Sequence, residues 1–213
     1  MDFYVESRTG RERDPMLDQM FTQRHDIFVR RLRWDLKCSD NYEKDEFDRI
    51  DTQYLLIMQN NSDLLHGSLR ILPSIGPHLL SEYFSDLCKH EVPRGHDVWE
   101  VSRMCISPKI RRPEIREYLI DLLAANLTEI ALLNDVSKLT FVVGTSLLQR
   151  VIGMAWDISP LGLPQPCGRE LVTAFAVDIS PTTLRDLTKQ CQKSAALCAE
   201  ALETQSTTRL GAA

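Results

Sequence analysis

The segment "PEIREYLIDLLAANLTEIALLN", residues 113–134, constrains this chain most, because apolar side chains recur along it at helical spacing. A helix with so broad an apolar face must bury it against another layer. The flanking stretches supply that layer. "DVWEVSRMCI" (97–106) before it and "KLTFVVGT" (138–145) after it are short, β-branched and apolar, the pattern of buried strands. "QYLLIMQ" (53–59) and "LLHGSLRIL" (64–72), separated by "NNSD", predict a hairpin. "RELVTAFAVDI" (169–179) is a last strand. Helices are expected over 15–32, briefly over "GPHLLSEYFSDL" and "SLLQRVIGMA", and from the Ser180-Pro181 start signal to about Glu203.

This order predicts an α/β domain with a mixed, largely antiparallel sheet and helices on both faces. At 213 residues one core suffices, so a single domain over 1–203 is expected, with "TQSTTRLGAA" (204–213) as a disordered tail. The composition, 43% hydrophobic and 26% charged, is that of an ordinary globular chain. A net charge of -5 argues against general nucleic-acid binding. No apolar run reaches membrane-spanning length, and "MDFYVESRTGRERD" lacks a secretory apolar core. The six cysteines show no metal-ligand or disulfide spacing, so free thiols in a reducing cytoplasm are expected.

Charge placement is the next signal. Arg24 falls inside the apolar stripe of Leu17, Met20, Phe21, Ile27 and Phe28, and Arg70 lies between Leu69 and Ile71. Glu100 and Arg103 occupy the strand "WEVSRM". Buried charges need partners. The polar stretch 33–51 ends in "KDEFDRID", which holds Asp45, Glu46, Asp48 and Asp51. A metal loop, a solvated loop, or one half of a charge network could explain it. The calcium-loop pattern of alternating ligands with a central glycine is absent, so no metal is expected. Arginines 24, 70 and 103 against Asp45, Asp48 and Glu100 make a balanced cluster. In a regular strand Glu100 and Arg103 would face opposite ways, so a shared site requires a β-bulge near Val101 or Ser102. Trp34, outside the helical stripe, and Phe28 could offer aromatic faces to a cationic ligand. "SPKIRRPEIR" places Lys109, Arg111, Arg112 and Arg116 at the entry to the long helix, either to receive an anion or as a solvated face.

Taken together, these residues resemble the autoinducer-synthase family, the acyl-homoserine-lactone synthases. The family pattern is met by Arg24, Phe28 and Trp34, then Asp45 and Asp48 in "DEFD", Arg70, Phe84, and Glu100 with Arg103, over roughly residues 5–180. The resemblance implies an acetyltransferase-like fold and a reaction between S-adenosylmethionine and an acyl thioester. Both are substrates, and no cofactor is implied. It implies Glu100 and Arg103 as catalytic residues, and Arg24, Phe28, Trp34, Asp45, Asp48, Arg70 and Phe84 around S-adenosylmethionine. Arg24 or Arg103 would hold its carboxylate. An acyl pocket between the sheet and the long helix would draw on Leu122, Thr140, Val142, Thr145, Ser146 and Leu147. The glycine-rich loop of ordinary acetyltransferases is missing at "SPKIRRPEIR", which suits docking of an acyl-carrier protein on Lys109, Arg111, Arg112 and Arg116. "LTFVVGTSLLQR" and "SPLGLPQ" instead look like the subgroup that takes branched or aryl acyl groups from coenzyme A. An ordinary N-acyltransferase and a non-catalytic binding domain are the competing expectations.

Overall fold

The computed structural model of the chain describes residues 2–10, 14–36 and 38–210, with side chains up to residue 201. Its centre is an eight-stranded sheet. In chain order the strands are β1 (Phe3–Thr9), β2 (Gln53–Gln59), β3 (Ser62–Pro73), β4 (Val98–Ile106), β5 (Lys138–Gly144), β6 (Asp157–Pro160), β7 (Gln165–Cys167) and β8 (Glu170–Asp178). They lie in the order β1-β2-β3-β4-β5-β8-β6, with β7 also paired to β8. Every pairing is antiparallel except β4 with β5.

The helices follow from local sequence. Helix α1 (Pro15–Arg24) starts at Asp14, whose carboxylate accepts from the Met16 N–H, with Pro15 in the first turn. It runs into a π-helical turn, His25–Arg31. Helix α2 (Leu79–Tyr83) is short, and α3 (Pro113–Leu133) is the long helix expected from its spacing. Asp135, in the left-handed region at φ 56°, turns the chain after α3. Helices α4 (Thr145–Ile152) and α5 (Pro181–Leu210) complete the set.

The two faces of the sheet bury different sets of side chains, as the two-residue period requires. Leu55, Ile57, Leu69, Ile71, Trp99, Val101, Leu139 and Phe141 pack under α3, together with Leu119, Leu123 and Leu127. On the other face Tyr54, Leu56 and Met58 meet Leu17, Met20 and Phe21 of α1, while Val172 and Ala174 meet Leu80 of α2 and Leu87. Each fully buried Leu or Phe contributes roughly 1.5–3 kcal/mol.

Four details depart from the sequence expectation. The edge strand β1 was not anticipated, since its solvent-facing half is polar. The small strands β6 and β7 also stand where no strand was expected. The first helix is α-helical only to Arg24 and then widens. Helix α5 continues to Leu210, beyond the expected end near Glu203, so of the expected tail only residues 211–213 lie outside the described residues. No helix among the described residues is long and apolar enough to cross a membrane.

Candidate active site

One row of side chains on the α1/α2 face builds the site. Strand register places Tyr54 beside Arg70 and Arg70 beside Ser102. The neighbouring row runs Leu72, Glu100, Thr140, Ala176. In an ordinary strand the residue after Ser102 would turn to the α3 face. Arg103 does not, because it takes the left-handed conformation at φ 54°, rare for a residue with a side chain. The register confirms an extra residue there: Arg70 pairs with Ser102, yet Ser68 pairs with Cys105. The bulge required to join Glu100 and Arg103 is therefore present, centred on Arg103 itself rather than on Val101 or Ser102.

The acidic loop delivers the matching carboxylates. The backbone N–H of Glu43 donates to the Phe21 carbonyl, fixing the loop under α1. Arg24, 0% exposed, donates through Nη1 and Nη2 to Asp48 at 2.8 and 2.9 Å and through Nε to Glu43 at 2.5 Å. Arg103 donates through Nε and Nη2 to Glu43, at 3.1 and 2.9 Å, and through Nη2 to Asp45 at 3.0 Å. Arg70 holds Asp45 at 2.5 Å and Asp48 at 3.0 Å through Nη1, and Ser102 Oγ at 3.0 Å through Nε. The Tyr54 hydroxyl donates to Asp48 at 2.9 Å. Three guanidiniums thus face three carboxylates, and the hub is neutral.

Glu43, 1% exposed, bridges Arg24 and Arg103 and was not among the sequence candidates. The available signal was its spacing of two from Asp45, which in an extended loop brings both side chains to one side. Glu46 and Asp51, the other two acids of "KDEFDRID", lie outside the hub. Glu46 accepts from the Tyr83 hydroxyl, and Asp51 is exposed beside Arg49.

Burial pushes the carboxyls of Glu43 and Asp48 up, but the guanidiniums beside them outweigh it and hold both below the usual range. Glu100 behaves differently. It is 1% exposed and accepts from the backbone N–H groups of Leu79 (3.0 Å, to Oε1) and Leu80 (2.5 Å, to Oε2) at the start of α2. Burial raises its pKa to about 7, with the two N–H bonds and the more distant Arg70 and Arg103 pulling back. A buried carboxylate that titrates near neutrality is suited to proton transfer.

Two of the three aromatic candidates, Phe28 and Trp34, come together beside the hub. Phe28, in the π-helical turn, stacks on Trp34 with centroids 4.8 Å apart, and the Arg103 guanidinium lies 5.6 Å from the Phe28 ring centre. Trp34 remains 39% exposed. Phe84 packs elsewhere on this face, with Leu80, Leu87 and Val142.

Beside Glu100 the sheet parts. Strands β4 and β5 pair only over Val98–Glu100 and Lys138–Thr140, although β4 continues to Ile106 and β5 to Gly144. Thr140 and Val142 line this parting on the Glu100 face. Leu122 belongs to α3, on the opposite face, so a single chain contacts all three only by passing through the gap. Thr145, Ser146 and Leu147 are exposed at the start of α4, where the Ser146 hydroxyl donates to Glu170. Of the basic residues, Lys109 and Arg111 are exposed and Arg116 is half-buried. Arg112, expected with them either to receive an anion or to lie on a solvated face, is half-buried and donates to the Ala201 carbonyl of α5 at 3.5 Å.

Comparison with known proteins gives the family and the fold. Residues 8–187 match the family model described as autoinducer synthase. The isovaleryl-homoserine lactone synthase of Bradyrhizobium diazoefficiens is 31% identical over 173 residues, 80% of this chain and 76% of that protein. The structure of a CoA-dependent acyl-homoserine lactone synthase, BjaI, with SAM and isopentyl-CoA superimposes with a TM-score of 0.79 at 28% identity. That match covers 89% of this chain and 90% of BjaI. A putative N-acetyltransferase from Lactobacillus plantarum shares the fold alone, at TM-score 0.56 and 12% identity over 84% of this chain and all of that one. The chain belongs to the autoinducer synthase family and is an acyltransferase of the acyl-homoserine-lactone synthase type, built on an acetyltransferase-like fold.

Proposed function

We propose that the site joins S-adenosylmethionine to an acyl group taken from acyl-coenzyme A, and that Glu100 is the base that frees the attacking amine. One observation carries this: a buried carboxylate titrating at about 7 stands where the sheet opens, next to a neutral arginine–carboxylate hub. An α-amine ordinarily titrates near ~7.7–8.0, so a base of this strength is matched to it. The freed amine attacks the thioester carbonyl, and the tetrahedral intermediate expels the thiolate, leaving an amide. The methionine carboxylate then attacks its own γ-carbon and breaks the carbon–sulfur bond. The lactone closes, and methylthioadenosine leaves as a neutral sulfide. Backbone N–H groups on the β5-facing edge of β4, beyond Glu100, are the donors for the oxyanion.

The hub assigns the remaining roles. All three guanidinium nitrogens of Arg24 are committed to protein carboxylates, so Arg24 orders the acidic loop and does not hold substrate. Arg103 keeps Nη1 out of its bonds to Glu43 and Asp45, and it takes the substrate carboxylate. The sulfonium meets the open face of Trp34 and the carboxylate of Asp45, the least buried of the three acids. Asp48, Arg70 and Phe28 hold these groups in place, and Phe84 supports the α2 side. Thr140, Val142, Leu122 and the start of α4 (Thr145, Ser146, Leu147) border the acyl chain. Lys109, Arg111 and Arg116 receive the coenzyme's phosphates at the α3 N-terminus. The likeness to the CoA-dependent synthase BjaI supports this donor over a carrier protein.

The test is an incubation of purified protein with S-adenosylmethionine and matched acyl-CoA and acyl-carrier thioesters, following free thiol and methylthioadenosine. Both products with acyl-CoA are expected. Thiol without methylthioadenosine would leave an N-acyltransferase that forms no lactone. Turnover with the carrier thioester alone would reverse the donor assignment.

A further inference from the structure

The two N–H groups that hold Glu100 belong to a helix of only five residues, too short to keep its own first turn in place. Something else must fix Leu79 and Leu80. The residue before them, His78, is fully buried. Its Nδ1 lies 3.0 Å from the Gly76 carbonyl, which can only accept, so Nδ1 carries the proton. The same nitrogen is 3.1 Å from Ser81 Oγ. Ser81 Oγ in turn accepts from the His78 backbone N–H at 3.2 Å and lies 3.0 Å from the His78 carbonyl. The ring is thereby clamped to the chain on both sides of the first turn. Its other nitrogen, Nε2, is buried with no hydrogen-bond partner among the described residues. A second ring proton would have no acceptor there, so the ring sits as a neutral wedge, and burial indeed lowers its pKa.

We propose that His78 is a positioning residue for Glu100: together with Ser81 it fixes the Leu79 and Leu80 N–H groups against the carboxylate and so sets how readily the base ionises. This rests on Glu100 being the base. The charged groups facing Glu100 are Arg70 from β3 and Arg103 from β4. Those facing His78 are Arg94 and Glu82. Changing His78 removes none of these groups; changing Ser81 also takes away the hydroxyl that donates to Glu82 at 2.9 Å, so H78A is the cleaner variant. The two N–H bonds favour the ionised carboxylate, so loosening them makes the base harder to ionise.

The test follows H78A, H78N and S81A by two readouts. The first is the pH dependence of thiol release with S-adenosylmethionine and acyl-CoA. The second is the pH titration of the Leu79 and Leu80 amide NMR shifts, which report Glu100 without turnover. In H78A both midpoints should move up by about one unit, with roughly fivefold less activity at pH 7. S81A should move them the same way by less. H78N, whose side-chain amide can still donate to the Gly76 carbonyl, should restore the wild-type midpoint. Adding H78A to E100Q should cost nothing further. A midpoint left at about 7 in H78A, or an equal loss of rate in the E100Q background, would overturn the proposal. If no thioester is turned over by the wild-type protein, the functional reading fails, while the amide titration still decides the role of His78.

Discussion

The hub around Arg24 and the pocket around Glu100 lie on one face of one sheet, yet they treat buried carboxylates in opposite ways. Asp48 is fully enclosed and sits against two guanidiniums and a tyrosine hydroxyl, so ionisation is favoured. Glu100 is equally enclosed but contacts two backbone N–H groups, and its charge is opposed by burial. Full charge pairing fixes a carboxylate as structure. Partial compensation by dipoles leaves another free to exchange a proton near pH 7. The difference lies in the partners and not in depth, which is why burial alone would not separate scaffold from reagent.

The largest expected effect falls on the Glu100 side. E100Q keeps the shape and one acceptor for the α2 N–H groups but removes the base, so acylation should fall by about 10²–10⁴-fold. The rising limb near pH 7 should vanish with it, as read from thiol release across pH. D48N attacks the other side by leaving Arg24 underneutralised in the interior. Breaking a buried pair costs on the order of 3–5 kcal/mol, measurable as a lower denaturant midpoint. Y54F removes one of several donors to Asp48 and should cost about 1 kcal/mol. W34A should raise KM for S-adenosylmethionine about two- to fivefold through the lost aromatic face, with little change in stability because the ring is partly exposed.

Stability against pH sharpens the same contrast. Glu43 and Asp48 have depressed folded-state values, so their contribution is complete above the ordinary carboxylate range and is lost as pH falls below that range, through their depressed values. Glu100 has a raised value, so its contribution is present below about 4 and is lost as pH rises through about 7. The melting temperature of E100Q should therefore gain on that of the wild-type protein between pH 5 and pH 8. A constant difference across that range would mean that Glu100 titrates normally.

Much of this arrangement was legible in the sequence. Periodicity located α3 and the buried strands, because those segments present unbroken apolar faces. Arginines in apolar stretches, weighed against nearby acids, pointed to a network, because a buried charge must have a partner. Glu43 escaped because it precedes the dense acidic run, and only the folded loop brings it between Arg24 and Arg103. The π-helical turn carrying Phe28 has no fixed apolar period to detect. Strand β1 alternates only weakly, as an edge strand with one wet face does. The role of His78 depends on contacts with Gly76 and Ser81 that composition does not encode.

The left-handed backbone at Arg103 also bears on how the protein folds. That conformation is unfavourable for an arginine and is held by the carboxylates of Glu43 and Asp45. Until the acidic loop docks, the second half of β4 has no reason to keep its extra residue, and a regular strand would send Cys105, Met104 and Ile106 to the wrong faces. The loop therefore acts as a template for strand register, and the far end of β4 should be the last part of the sheet to gain protection from hydrogen exchange during refolding. Protection of Cys105 and Ile106 ahead of the loop would show that the bulge forms on its own.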